Sequence, residues 1–209
     1  MSWEADEFAG LKYRFHLPAG YGEPGRRWPV VIYLHGSGER GTDNASHLKN
    51  GVELLAQWPC IVVAPHCPPS DSWGGFWFDT PSEAQLKVAA LARELSTRSS
   101  VDAERISVVG FSMGAIGGWD LMTRQRGVFS AFVPIAGDVL LEQAEALKGF
   151  PIWAFHGEVD QWVPHANIRE VARRGLLTNY TEFPGVDHGS WKAALETPGL
   201  YDWLLGCRR

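Results

Sequence analysis

Ile106-Ser107-Val108-Val109-Gly110-Phe111-Ser112-Met113-Gly114 is the stretch that decides the fold. Its first four residues make an apolar, mostly β-branched run, too short for a helix, that stops at a glycine as a strand buried on both faces does. The following stretch, Met113 to Arg124, is amphipathic. Strand, sharp turn and helix are the context that a G-x-S-x-G nucleophile elbow requires, with Ser112 held above the end of the strand. The glycines have a steric reason to be there: a serine in a strained turn leaves no room for side chains two positions to either side.

The same punctuation recurs outward from this segment. Val30-Val31-Ile32-Tyr33-Leu34 lies between Pro29 and His35-Gly36, Ile61 to Ala64 precedes Pro65, and Ile152 to Phe155 precedes His156-Gly157. Ala131 to Ile135 is a fifth candidate strand and Tyr180 to Phe183 a sixth. Between them lie amphipathic stretches, Glu83 to Ser96 (apolar at Leu86, Ala89, Ala90 and Leu95) and His165 to Leu177. Strands alternating with helices predict βαβ units, and so an α/β fold with a mostly parallel central sheet flanked by helices on both faces. Lys12 to Leu17 alternates polar with apolar residues and reads as an edge strand with one wet face. Pro18 to Pro29, rich in Gly and Pro, reads as a surface loop. No repeat, low-complexity tract or linker divides the 209 residues, 45% of them hydrophobic, and one domain over 1–209 is expected.

Composition excludes several classes of function. The net charge is -5 and the 19 Lys and Arg are scattered, so no basic stripe offers itself to nucleic acid. Met1 to Glu7 is acidic and lacks the basic and apolar regions of a signal peptide, and no run of about 18 apolar residues reads as a membrane helix. Cys60, Cys67 and Cys207 form no CxxC pair. A reducing, cytoplasmic location is the simpler reading, with a Cys60 to Cys67 bridge left open. Oligomeric state is not legible.

Four groups carry candidate chemistry. Ser112 reads as a nucleophile. The glycine-rich His35-Gly36-Ser37-Gly38-Glu39-Arg40-Gly41 follows a strand, so the backbone N–H groups of Ser37 and Met113 are the candidate oxyanion hole. Asp160, in the loop His156 to Pro164, is the candidate acid, with Glu158 and Asp138 as rival carboxylates. His188, after the last strand, is the candidate general base. Of the other histidines, His35 and His156 end strands and read as structural, while His16, His47, His66 and His165 read as surface or loop residues. The order Ser112, Asp160, His188 is the chain order of a triad on an α/β sheet. For each group the plain alternative is a glycine-rich turn, a solvated loop charge or a structural histidine. No HExxH, ligand cluster or strand-linked G-x-G-x-x-G occurs, so neither metal nor nucleotide cofactor is expected.

From Val30 to Leu205 the sequence resembles the α/β-hydrolase superfamily. Within it the chain is similar to small esterases grouped with phospholipase/carboxylesterases, dienelactone hydrolases and predicted peptidases. The particular matches are Leu34-His35-Gly36-Ser37-Gly38-Glu39-Arg40-Gly41-Thr42-Asp43-Asn44, the elbow Gly110 to Gly114, and His188-Gly189-Ser190-Trp191 through Tyr201-Asp202-Trp203-Leu204. The resemblance implies the α/β-hydrolase fold and hydrolysis through a serine. Ser112, where dienelactone hydrolases carry cysteine, sets the chain apart from that activity.

Only Gly137 to Phe150 separates the fifth and sixth strand candidates at the place where lids are commonly inserted, so no large cap domain is expected. The loop Pro68 to Pro81 holds Trp73, Phe76, Trp77 and Phe78; with Trp162 and Trp191, which flank the acid and the base, these are candidate pocket walls. Packing onto the core is the alternative for the loop aromatics. The expected substrates are small to medium carboxylic esters. A peptidase or thioesterase on the same groups is the alternative, and a non-catalytic binding protein on a hydrolase scaffold is a third reading.

Overall fold

The structure, a computed structural model, describes residues 2–75 and 79–209. The strands are β1 (Glu4–Phe8), β2 (Leu11–His16), β3 (Trp28–Leu34), β4 (Ile61–Pro65), β5 (Val101–Phe111), β6 (Phe132–Ile135), β7 (Trp153–Gly157) and β8 (Asn179–Phe183). The helices are α1 (Val52–Leu55), α2 (Glu83–Ser96), α3 (Met113–Arg124), α4 (Leu141–Ala146), α5 (Ala166–Arg173), α6 (Trp191–Leu195) and α7 (Leu200–Gly206). Among the described residues the strands form one sheet in the order β1-β2-β4-β3-β5-β6-β7-β8. From β4 to β8 all neighbours are parallel, whereas β2 runs antiparallel to β4 and β1 antiparallel to β2.

Strand β3 shows why the apolar runs are continuous. From Val30 to Leu34 no residue exceeds 1% exposure. Val30, Ile32 and Leu34 face a core shared with α2, α3 and α5, while Val31 and Tyr33 face a second core shared with α1, α6 and α7. Burying each such aliphatic side chain contributes about 1.5–3 kcal/mol relative to exposure, so a strand covered on both faces tolerates no polar alternation.

Some expectations are corrected. Lys12 to Leu17 is not an edge: β2 is second in the sheet, and β1 lies outside it. The segment Glu4–Phe8 has four exposed residues out of five and so carries no apolar signal. It is recruited by a two-residue hairpin, Ala9-Gly10, with φ of 50° and 81°, the positive pair that a twisted hairpin favours. Helix α2 buries Val88, Leu91, Ala92 and Leu95 and leaves Leu86 exposed, a face rotated from the one expected. Helix α5 ends at Arg173, short of Leu177, because Gly175 turns the chain at φ 66°.

Between β6 and β7 the chain holds α4 alone, and no large cap covers the sheet edge. No helix among the described residues is long and apolar enough to cross a membrane. After β3 the chain crosses to β4 on one side and later returns as β5 on the other. The loops that leave β3 and β5 therefore diverge, opening a crevice at the carboxyl ends of the strands.

Candidate active site

Ser112 sits between β5 and α3 at φ 54°, ψ −116°, a conformation that L-residues rarely adopt. Such strain costs on the order of 1–3 kcal/mol and persists only where the surroundings impose it. Here the Ser112 N–H donates to Ile135 O (2.9 Å), while its carbonyl accepts from the N–H groups of Ala115 and Ile116 (2.9 and 3.0 Å). The flanking glycines are required by close approach. A Cβ on Gly110 would lie 2.3 Å from Gly114 O, and one on Gly114 only 1.9 Å from Leu34 O. The start of α3 is thus pressed onto the end of β3, and the serine side chain is left facing the crevice.

The strands β7 and β8 bring two distant residues to the same edge. His188 Nε2 lies 2.9 Å from Ser112 Oγ, and His188 Nδ1 lies 2.7 Å from Asp160 Oδ2. With the Nδ1 proton donated to the carboxylate, Nε2 is left to accept from the hydroxyl. The other carboxylate oxygen, Asp160 Oδ1, accepts from the backbone N–H groups of Trp162 and Val163 (2.9 and 3.0 Å). Burial of Asp160 acts to raise its pKa, but the hydrogen bonds from His188, Val163 and Trp162 outweigh burial and hold the carboxyl below its usual range. The rival carboxylates are engaged elsewhere. Glu158 accepts from the Gly185 N–H, and Asp138 from the Val139 N–H and the Asn167 amide.

A cleft of about 700 Å³ contains Ser112, His188, Ser37 and Met113. Ser37 opens a 3₁₀ turn, Ser37–Glu39, in the loop after β3. That loop rests on three imidazoles. The rings of His47 and His66 stack at 4.2 Å, and His35 meets His66 at 5.7 Å. His47 and His66 are therefore buried rather than surface residues. His66 Nε2 donates to Glu39 O (3.0 Å) while its Nδ1 accepts from the Asn44 N–H (3.1 Å), so the ring clamps the loop at two points. His35 Nδ1 donates to Gly36 O (2.7 Å), and its Nε2 accepts from the Cys67 N–H (3.0 Å).

The aromatic candidates part company. Trp73 is 1% exposed, donates Nε1–H to His35 O (2.9 Å) and packs against Gly117 of α3. It lies beneath the loop as a packing residue rather than in the cleft wall, because the indole N–H finds its partner inside the core. Trp162 and Trp191 line the cleft, and Trp162 is 83% exposed. Phe76 and Trp77, with Phe78, lie outside the described residues. Cleft residues not anticipated include Phe111, whose ring lies 5.2 Å from that of His188, and the polar group Glu39, Arg40 and Asn50. Glu39 and Arg40 belong to the His35 to Gly41 motif, whereas nothing local distinguishes Asn50.

Cys60 and Cys67 are buried free thiols, and no bridge joins them. Among the described residues, no group of three His, Cys, Asp or Glu side chains is arranged to hold a metal.

The model of the phospholipase/carboxylesterase family matches residues 24–197. The chain belongs to that family. It is an α/β-hydrolase and a carboxylic ester hydrolase. This esterase is 26% identical to lysophospholipase-like protein 1 of Mus musculus over 230 aligned positions, covering 94% of this chain and 95% of the relative. A crystal structure of a thermostable esterase superposes with a TM-score of 0.85 at 33% identity; the match takes in 99% of the present chain but 63% of the other. Est1E from Butyrivibrio proteoclasticus superposes with a TM-score of 0.70 over 99% of this chain and 98% of its own, at 13% identity, a likeness of fold.

Proposed function

We propose that the esterase cleaves small to medium carboxylic esters by two-step acyl transfer, using Ser112 as nucleophile, His188 as general base and Asp160 as the acid that orients the base. His188 takes the proton of Ser112 as the hydroxyl attacks the ester carbonyl. The developing oxyanion rests on the backbone N–H groups of Ser37 and Met113. His188 then returns the proton to the departing alcohol, and water repeats the attack on the acyl-enzyme. Asp160 keeps the imidazole in the tautomer that presents Nε2 to the serine.

The observation that carries this reading is the continuous relay from Ser112 Oγ through His188 to Asp160, at 2.9 and 2.7 Å. A bare scaffold has no reason to keep a strained serine in contact with a carboxylate-bound imidazole. The uncapped cleft suits esters, whose alcohols leave more readily than the amines of amides. A single domain suffices, since one sheet edge carries all three groups. The buried, unpaired Cys60 and Cys67 fit a reducing compartment, and a cytoplasmic enzyme is the reading we adopt.

A fluorophosphonate probe tests the proposal: it should label Ser112 in the wild-type protein and fail on Ser112→Ala. Absence of wild-type labelling would overturn it. Turnover of an aryl ester should exceed that of a thioester and of a peptide anilide carrying the same acyl group; the reverse order would reassign the enzyme to thioesters or peptides.

A further inference from the structure

Two hydrogen bonds leave the imidazole of His188 one freedom. Its Nδ1 is tied to Asp160 Oδ2 at 2.7 Å and its Nε2 to Ser112 Oγ at 2.9 Å. The N–H and the lone pair of an imidazole lie in the ring plane, so these bonds fix where the two nitrogens point and only weakly resist rocking of the ring about the line between them. The side chain is 21% exposed, so part of its surface has no protein against it. Contact from outside the ring plane is what keeps the Nε2 lone pair aligned with the serine proton, and small errors of alignment at a reacting group are costly in rate.

Phe111 makes that contact. It is the last residue of β5, next to Ser112, and its ring centroid lies 5.2 Å from that of His188 with 38° between the two planes. Two rings lying side by side in one plane could not come so close, so Phe111 meets the imidazole above its plane. The phenyl ring is itself backed by main chain. A Cβ on Gly36 would stand 3.3 and 3.5 Å from Phe111 Cδ1 and Cε1, which sets the ring against the backbone of the loop after β3. At 6% exposure Phe111 is also packed into the core shared with α1, α6 and α7. A side chain held on these sides has little room to follow the imidazole if it tilts.

We infer that Phe111 is a positioning residue for the general base: braced on Gly36, its ring holds the imidazole of His188 at the tilt from which Nε2 takes the Ser112 proton. This rests on the assignment of Ser112 and His188. Phe111 makes and breaks no bond; the proton still passes from Ser112 Oγ to His188 Nε2 and on to the departing alcohol. Phe111 also lines the cleft, so its rival role is that of a wall for the substrate. The two roles differ in what they act on. A wall acts on substrate binding whether or not the imidazole is there, whereas a brace acts on proton transfer and only through the imidazole.

Phe111→Leu keeps apolar bulk and loses the flat ring. With an aryl ester it should lower kcat about tenfold or more while KM changes by less than about twofold, and Phe111→Tyr, which keeps the ring, should retain most of kcat. If a urea midpoint shows the leucine variant unfolded under assay conditions, Phe111→Met takes its place with the same expected loss. The deciding comparison is made in a His188→Ala background. With the imidazole gone, Phe111→Leu should change the residual kcat by less than about twofold, because residues that act as a unit lose their effects together. An equal loss in both backgrounds would overturn the inference. So would a loss carried by KM, or wild-type kcat in Phe111→Leu. If His188→Ala alone turns over the ester at the wild-type rate, the base assignment fails and the positioning role falls with it.

Discussion

His156 Nε2 lies 3.2 Å from Asp160 Oδ2, the same carboxylate oxygen that meets His188 Nδ1 at 2.7 Å. Two imidazoles therefore converge on one oxygen, one from the end of β7 and one from the loop after β8. His156 Nε2 donates to Val163 O (3.0 Å), closing the loop that carries Asp160.

Removing this clasp should loosen Asp160 without touching Ser112. His156→Phe is expected to lower kcat for an aryl ester about tenfold with a smaller change in KM, since a misplaced orienting group weakens the transition state more than binding. His156→Gln, which keeps a donor for the Val163 carbonyl, should restore part of kcat; an unchanged kcat in His156→Phe would show that the clasp has no such effect.

Ser112→Ala should lower kcat by about 10⁴-fold or more, with the remainder arising from the oxyanion donors and binding. Steady-state ester turnover checks this, and near-wild-type activity would remove Ser112 from the mechanism.

Gly114→Ala should destabilise the fold by about 3 kcal/mol or more, because its Cβ would stand 1.9 Å from Leu34 O, a backbone atom of a buried strand. Gly38→Ala, where nothing lies within 4 Å, should stay within about 0.5 kcal/mol of wild type. Urea midpoints compare the two, and equal midpoints would refute the steric account of the elbow.

Burial holds His35 at about 3 and His47 at about 4, well below the ordinary imidazole value, and it also lowers His66. The unfolded chain takes up protons at these sites near pH 6.5, while the folded chain does not. Stability is therefore fully present above about pH 6.5 and falls as pH drops toward about 4, by roughly 1.4 kcal/mol per pH unit for each of His35 and His47. Carboxylates with lowered values, such as Glu182 at about 2, lose their contribution in a more acidic window. Urea titrations at pH 7, 6 and 5 should show the decline, and His47→Gln should flatten it. A midpoint constant from pH 7 to 5 would contradict the buried, neutral cluster.

Much of the fold was legible because its signals are local. The Val30 to Leu34 and Ile106 to Val109 runs announce buried strands through their own side chains, and Gly110, Ser112 and Gly114 specify an elbow within five positions. Strand β1 was not legible, since an exposed edge strand with an Ala-Gly turn has neither apolar alternation nor a strong turn signature. The site divides in the same way. Ser112, Asp160 and His188 were picked out by their places after strands, where a parallel sheet delivers every loop to one edge.

The tertiary structure alone decided which side chains meet. Glu158 and Asp160 share one loop and one charge, yet only Asp160 turns inward to His188. Trp73 and Trp162 are the same residue beside similar loops, yet one is sealed beneath the loop after β3 and the other stands in water. His47 and His66 read as loop residues until the chain folds back and stacks their rings. The reason is physical: backbone conformation follows from neighbours a few positions away, whereas the environment of a side chain depends on contacts with segments tens of residues distant, and those exist only once the sheet has assembled.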